Sequence, residues 1–205
     1  MAEPTNIALI DDDAAVVDSL RLYLSREGLA VSCFGRVEEF TAMSDWGSRF
    51  DCVVADIRMP GASGLDLVHR FENERVIVPI VLITGHGDVD MAVAAIKLGA
   101  FDFIEKPFDE ARLLESIRNA VARRRMRQES AERLAELSAR YQALSQRQRQ
   151  VMDLAVDGFS NKDIAARLGI SPRTVEVHRA WMMERMGASN LAELIRAEMQ
   201  LRSRR

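Results

Sequence analysis

Short apolar runs alternate with helically spaced apolar positions along the first half of the chain. Ile7-Ala-Leu-Ile10, Ala30 to Phe34, Cys52-Val-Val-Ala55, Pro79 to Ile83 and the run at Phe101 to Ile104 are each too brief for a helix. Runs of this kind read as strands buried on both faces, as in a parallel sheet. Between them, apolar residues recur every three or four positions. Val16-Val17, Leu20 and Leu24 predict a helix ending at Gly28, and Val37 to Met43 a weaker one. Leu65, Val68 and Phe71 predict a third helix, Asp88 to Leu98 a fourth, and a fifth starts at Asp109. The stretch around Trp46 has no clear period. Five strand-helix units imply an α/β fold, a doubly wound five-stranded parallel sheet.

The fifth helix has no stop signal. Val121 leads into Arg123-Arg-Arg-Met-Arg127, and no Gly or Pro follows before Ala143. A stiff helical linker is expected. Leu134, Leu137, Tyr141 and Leu144 have seam-like spacing, but the run is too short to separate a coiled coil from a solitary amphipathic helix. From Leu144 the pattern changes to four short helices. Ser145-Gln-Arg-Gln148 fits a capping box, Gly158 ends the first helix, Ser160 caps the second and Gly169 ends it. Ser171-Pro172 starts a third helix, to about Met186, and Ser189 opens a fourth. Two short helices joined through Leu168-Gly169-Ile170-Ser171 predict a helix-turn-helix. The expected division is 1–122, a helical linker 123–143, and an all-α region 144–205.

Composition sharpens this division. Residues 1–120 carry 21 Asp/Glu against 11 Lys/Arg, a formal −10, whereas residues 121–205 carry 10 against 17, a formal +7. The basic half suits a polyanionic partner. No apolar run approaches the length of a membrane span. Cys33 and Cys52 fall in strands and are expected to be free core thiols, consistent with a reducing, cytoplasmic setting.

Four of the strands deliver a polar group at the carboxyl end, where open α/β sheets place their ligands. The groups are Asp11-Asp12, Asp56, Thr84 and Lys106. Converging carboxylates call for a cation, and oxygen donors favour magnesium (Mg2+). A hydroxyl and an ammonium beside them suit a transferring phosphoryl group, which Asp56 would accept covalently.

These residues, together with Met59-Pro60, Gly64, Gly99-Ala100 and Lys106-Pro107, resemble the receiver domain of two-component response regulators over roughly residues 5 to 121. Leu144-Ser145, Arg147, Gly158, Ser160-Asn-Lys-Asp-Ile-Ala165, Leu168, Ile170-Ser171 and Thr174-Val-Glu-Val-His178 resemble a LuxR-type output domain. Gln148 stands where glutamate is usual. The combination is similar to the FixJ/NarL class of transcriptional regulators, and Thr84-Gly-His-Gly-Asp88 and Phe103 to Phe108 favour its FixJ side. The resemblance implies a sheet order of 2-1-3-4-5. It implies that Asp12, Asp56 and the backbone carbonyl of Arg58 ligate magnesium, that Asp11 acts through water, and that Lys106 neutralises charge. Thr84 and Phe103 would form a switch. Asp13 reads as a helix-start charge. His69 and His86 read as solvated, and His178 as a packing or phosphate-facing residue. The ten methionines mostly read as core filler.

The implied partners are a sensor histidine kinase, double-stranded promoter DNA, a second copy of the chain and, further off, RNA polymerase; no membrane is involved. With Ala92 and Ile96 expected to face the sheet, Val93 and Lys97, with Phe103, form the expected dimer face. In a helix from Pro172, Arg173, Glu176, Val177 and Ala180 share one face that suits the major groove, Glu176 being able to accept from cytosine. Thr174 lies beside them, while Lys162, Arg173 and Arg179 suit phosphates. Two rival readings differ in class. An aspartyl-phosphate phosphohydrolase of the haloacid dehalogenase type needs a second acid two residues after the nucleophile, and Arg58 stands there. A helical output that binds protein or RNA is opposed by the Ser160 to Ala165 signature.

Overall fold

The computed structural model describes residues 4–85 and 89–202. His86 and the expected start of a helix at Asp88 lie outside the described residues. The chain divides into two compact units, residues 1–127 and 128–205.

In the first unit, β1 (Asn6–Ile10), β2 (Ala30–Phe34), β3 (Cys52–Asp56), β4 (Ile80–Thr84) and β5 (Asp102–Glu105) form one sheet in the order β2-β1-β3-β4-β5. Every pairing is parallel. Helices α1 (Ala14–Arg26), α2 (Val37–Thr41), α3 (Trp46–Arg49), α4 (Gly64–Asn73), α5 (Val89–Lys97) and α6 (Glu110–Gln142) complete it. Alternate side chains serve two cores. Ala8, Ile10, Val53, Ala55 and Leu82 pack with Phe40, Phe50 and Phe71, whereas Ile7, Leu9, Val54, Val81 and Ile83 pack with Leu24, Leu113 and Ile117. Both faces are therefore apolar, which is why β1, β3 and β4 read as unbroken hydrophobic runs.

The stretch around Trp46 is a one-turn helix, buried by its aromatic contacts. The Trp46 ring lies 5.6 Å from Phe40 and 5.0 Å from Phe71. The thiols divide: Cys52 is buried, while Cys33 on the edge strand β2 is only half-buried. Burial pushes the Cys52 thiol up to about 12.

Helix α6 runs 33 residues without Gly or Pro. Its first half buries Leu113, Ile117, Ala120 and Val121 against the sheet. The basic run that follows is largely used within this unit. The Arg123 guanidinium lies over Phe101, Arg124 donates to the Phe50 carbonyl, and Arg125 donates to the Thr5 hydroxyl at 3.1 Å. Part of the positive charge expected to serve a polyanion thus fastens a helix to the amino-terminal ends of the strands.

The second unit is all-α: the tail of α6, then α7 (Gln146–Val156), α8 (Asn161–Leu168), α9 (Pro172–Met186) and α10 (Leu191–Arg202). Reciprocal capping boxes open α7 through Ser145 and Gln148 and α8 through Ser160 and Asp163. Ser171 caps α9, with Pro172 in its first turn. Gly169 and Gly187 close α8 and α9 at φ +66° and +67°, a left-handed conformation that glycine adopts without a Cβ penalty. The cap of α10 is Asn190 rather than the expected Ser189: its Oδ1 accepts from the Glu193 amide at 3.0 Å, and the Ser189 amide donates to the Glu193 carboxylate at 2.8 Å.

Leu137 and Tyr141 pack onto the core of this unit beside Leu144, Val151, Met152, Val175 and Met182. The amphipathic seam of the linker is thus turned inward on its own chain. Two arginines fasten the ends: Arg140 donates to the Met186 carbonyl at the end of α9, and Arg185 donates to the Ala143 carbonyl just beyond α6.

Candidate functional site

Strand ends bring the first site together. Asp11 follows β1, while Asp56 and Thr84 are the last residues of β3 and β4; all three are buried. Lys106 follows β5, and its ammonium donates to Asp11 Oδ2 at 2.7 Å and to Asp56 Oδ1 at 2.9 Å. The second oxygen of each carboxylate accepts a backbone amide, from Asp13 at 2.9 Å and Arg58 at 2.7 Å. Asp13 in turn caps α1, accepting from the Ala15 amide at 2.9 Å, so it is a helix-start residue as expected. Asp12 is exposed. The Lys106–Pro107 bond is cis, and the Lys106 amide donates to the Thr84 carbonyl at 2.6 Å, aligning the two strand ends.

Local sequence explains the shape. A Cβ on Gly64 would collide with the Asp56 carbonyl, so α4 can start this close to β3 only from glycine. Glu38 ties down the intervening loop by accepting from the Ala62 amide at 2.9 Å, beside Gly61 at φ +90°.

Burial raises the Asp11 carboxyl above its ordinary 3.8, against the opposing pull of Lys106. Burial draws the Lys106 ammonium down, but its hydrogen bonds to Asp11 and Asp56 together outweigh this and hold it above 10.5. The lysine is therefore charged near neutrality. Two carboxylates share the one ammonium, with exposed Asp12 next to Asp11 in the chain, and an all-oxygen donor set of this kind fits a hard divalent cation. Among the described residues, no three His, Cys, Asp or Glu side chains already converge as a metal-holding group.

Phe103 is half-buried against the core face that carries Phe40 and Phe71. Its neighbour Asp102 accepts from the Ser116 hydroxyl at 2.7 Å and pairs with Arg112 at 2.9 Å, fastening β5 to α6. Sequence reasoning did not find this anchor, because an acid inside a strand and a serine inside a helix announce no contact. On α5 the expected phase is corrected. Ala95 faces the sheet, whereas Ile96 is 49% exposed and joins Val93, 45% exposed, on the outer surface with Lys97.

In the second unit, Arg173, Glu176, Val177 and Ala180 all lie exposed on α9, while Val175, Met182 and Met186 are buried beneath. Arg173 and Glu176 stand 3.5 Å apart as an exposed pair. Thr174 is half-buried, and its hydroxyl lies 2.8 Å from that of Ser171. Arg179 is also half-buried and donates to Asn161 Oδ1 at 3.0 Å, at the start of α8 beside exposed Lys162. His178 is half-buried with its Nδ1 enclosed and unpartnered among the described residues, and His69 is exposed. Sequence reasoning missed Trp181, which is 52% exposed on the same helix. Among the described residues, no helix is long and apolar enough to cross a membrane.

Comparison with known proteins matches residues 7–118 to the response regulator receiver domain and residues 142–197 to bacterial regulatory proteins of the luxR family. The transcriptional regulatory protein FixJ of Bradyrhizobium diazoefficiens is 44% identical over 199 residues, covering 97% of each chain. Response regulator protein TmoT of Ectopseudomonas mendocina is 41% identical, covering 96% of this chain and 89% of its own. Among solved structures, response regulator StyR superposes with a TM-score of 0.83 at 34% identity, covering 97% of this chain and all of its own. Full-length FixJ from B. japonicum gives 0.62 at 42% identity, with 98% and 99% covered.

Proposed function

Because this chain belongs to the response regulators that join a receiver domain to a LuxR-family output domain, and is a transcriptional regulator rather than an enzyme, we propose that Asp56 is its phosphoacceptor. One observation carries the assignment. Asp56 ends a buried central strand with its carboxylate held by the Lys106 ammonium, which also holds Asp11. An Asp56 oxygen attacks the phosphorus of a phosphohistidine on a sensor histidine kinase. The O–P bond forms as the N–P bond breaks, and the imidazole leaves with the electron pair and takes up a proton. Lys106 stabilises charge on the phosphoryl oxygens, and the Arg58 amide keeps the attacking carboxylate aimed. Asp12, Asp56 and the Arg58 carbonyl would hold magnesium, with Asp11 behind a water; the ion supplies charge neutralisation to the transferring group.

The Thr84 hydroxyl then follows the phosphoryl oxygens and Phe103 turns inward. Dimerisation through Val93, Lys97 and Phe103 follows, with Ile96 added to that face, and the output helix α9 engages promoter DNA in the cytoplasm. Receiver, linker and output correspond to residues 1–122, 123–143 and 144–205. The test is labelling by a phosphodonor in the presence of magnesium. Asp56→Asn should abolish it and Asp12→Ala should severely reduce it. Full labelling of Asp56→Asn would remove the assignment.

A further inference from the structure

We infer that Trp181 is a sequence-independent DNA contact, its indole packing on the sugar–phosphate edge of the duplex beside the groove that α9 reads. The inference deepens the DNA-binding reading and rests on it. Among the described residues of α9, Val177 at 39% and Trp181 at 52% are the large apolar side chains left exposed. Both stand on a helix whose other outward groups are mostly charged.

Position on the helix gives Trp181 its role. Ala180 lies near the middle of the outward face, and with about 3.6 residues per turn its two chain neighbours point to opposite flanks. Arg179 occupies one flank and is braced by Asn161 at 3.0 Å. Trp181 occupies the other and is braced by the His178 ring, edge-on at 6.1 Å and 79°. A helix seated in the major groove has a phosphate wall on each side, so a helix that presents the middle of this face to base edges presents each flank to one strand. A guanidinium suits one wall. On the other, the indole offers a flat apolar face to deoxyribose and an N–H donor to a phosphate oxygen. Both side chains are held before binding, so little freedom remains to be lost on contact. Residues 128–205 carry 13 Lys/Arg against 10 Asp/Glu, a formal +3, which favours a polyanion here over an apolar protein partner, and two adjacent apolar side chains are too small a patch for one.

The chain has two tryptophans, and Trp46 is only 7% exposed within the first unit, so an aqueous quencher reports on Trp181. The experiment titrates the full chain, after incubation with acetyl phosphate and magnesium, with a labelled mixed-sequence duplex at low salt. Binding is followed by anisotropy and Trp181 access by acrylamide quenching. Quenching should fall severalfold as the duplex binds. Trp181→Ala should weaken binding roughly five- to tenfold across sequences. The slope of log affinity against log salt should stay unchanged, because no charge is removed. Trp181→Phe should recover most of the loss. Binding with unchanged quenching overturns the inference and leaves the DNA-binding reading intact. So does a Trp181→Ala variant whose base preference changes, or protection of Trp181 by rising protein concentration without DNA, which assigns that surface to a second copy. Absence of duplex binding at every salt concentration removes the DNA-binding reading, and this inference with it.

Discussion

Lys106→Met tests the electrostatics of the acceptor site most directly. Methionine keeps the unbranched stem and removes the charge. The Asp11 and Asp56 side chains are only 1% and 7% exposed, and each loses its ammonium partner, at 2.7 and 2.9 Å. Breaking a fully enclosed ion pair costs about 3–5 kcal/mol. The Lys106 side chain is 23% exposed, so water can reach the vacated position and the expected loss is about 2–3 kcal/mol at pH 8. Acid should shrink the deficit. Burial already holds Asp11 above 3.8, and losing Lys106 raises it further. The penalty falls on the ionised form, so it is absent below the unfolded value and fully present above the folded one. Lowering the pH from 8 to 5 moves down toward that window. The Lys106 ammonium of the parent, held above 10.5, keeps its charge and its contribution throughout. Magnesium should restore more stability to the variant than to the parent. Urea unfolding of the full chain carrying Trp181→Phe, read through the emission of buried Trp46, measures each quantity. A deficit below about 0.5 kcal/mol, the range of an ordinary surface change, or one that grows toward pH 5 would refute the reasoning.

Glu176→Ala should change base preference at a cost of about 1–3 kcal/mol at the best site, whereas Lys162→Ala should weaken all sequences alike and flatten the salt slope by about one unit. Binding across single-base site variants and a salt series separates the two, and exchanged behaviour would reverse the roles. Val93→Asp, placed beside exposed Ile96, should keep the phosphorylated chain monomeric in sedimentation; dimerisation equal to the parent's would remove that face. With its thiol pushed up to about 12, Cys52 should not react with a disulfide reagent at pH 8 until the chain unfolds, while half-buried Cys33 reacts slowly. Rapid reaction of both thiols in the native chain would contradict the packing.

The sheet was legible because its central strands are buried on both faces, which leaves no polar position to blur the run. Helix ends in the second unit were legible for a chemical reason: Ser145 with Gln148, and Ser160 with Asp163, satisfy orphan amides from within four residues. The gathering of polar groups at one end of the sheet could be read from the same strand ends, since Asp11, Asp56, Thr84 and Lys106 each follow or finish an apolar run. Long-range or degenerate information was not legible. Trp46 is buried by Phe40 and Phe71, far away in sequence. Helix α5 is apolar on most of its circumference, so Ala95 and Ile96 could not be assigned to a face by period. Ser189 and Asn190 are both good caps, and adjacency hid the choice. Arg123, Arg124 and Arg125 looked like a free basic run because nothing local reveals Phe101, Phe50 and Thr5 as their partners.

The crossed arginines at the ends of α6 and α9 bear on how this regulator can be taken apart and recombined. Arg140 caps α9 from outside the four-helix region, and Arg185 returns the service to the residue that ends the α6 segment. A graft that began the output region at Leu144 would discard Arg140 together with Leu137 and Tyr141. It would leave the Met186 carbonyl without its guanidinium and open one wall of the hydrophobic core. The transferable unit therefore starts inside the helix, before Leu137. Exchange of receivers upstream of this output is constrained to join within the helix, rather than in the loop that follows it.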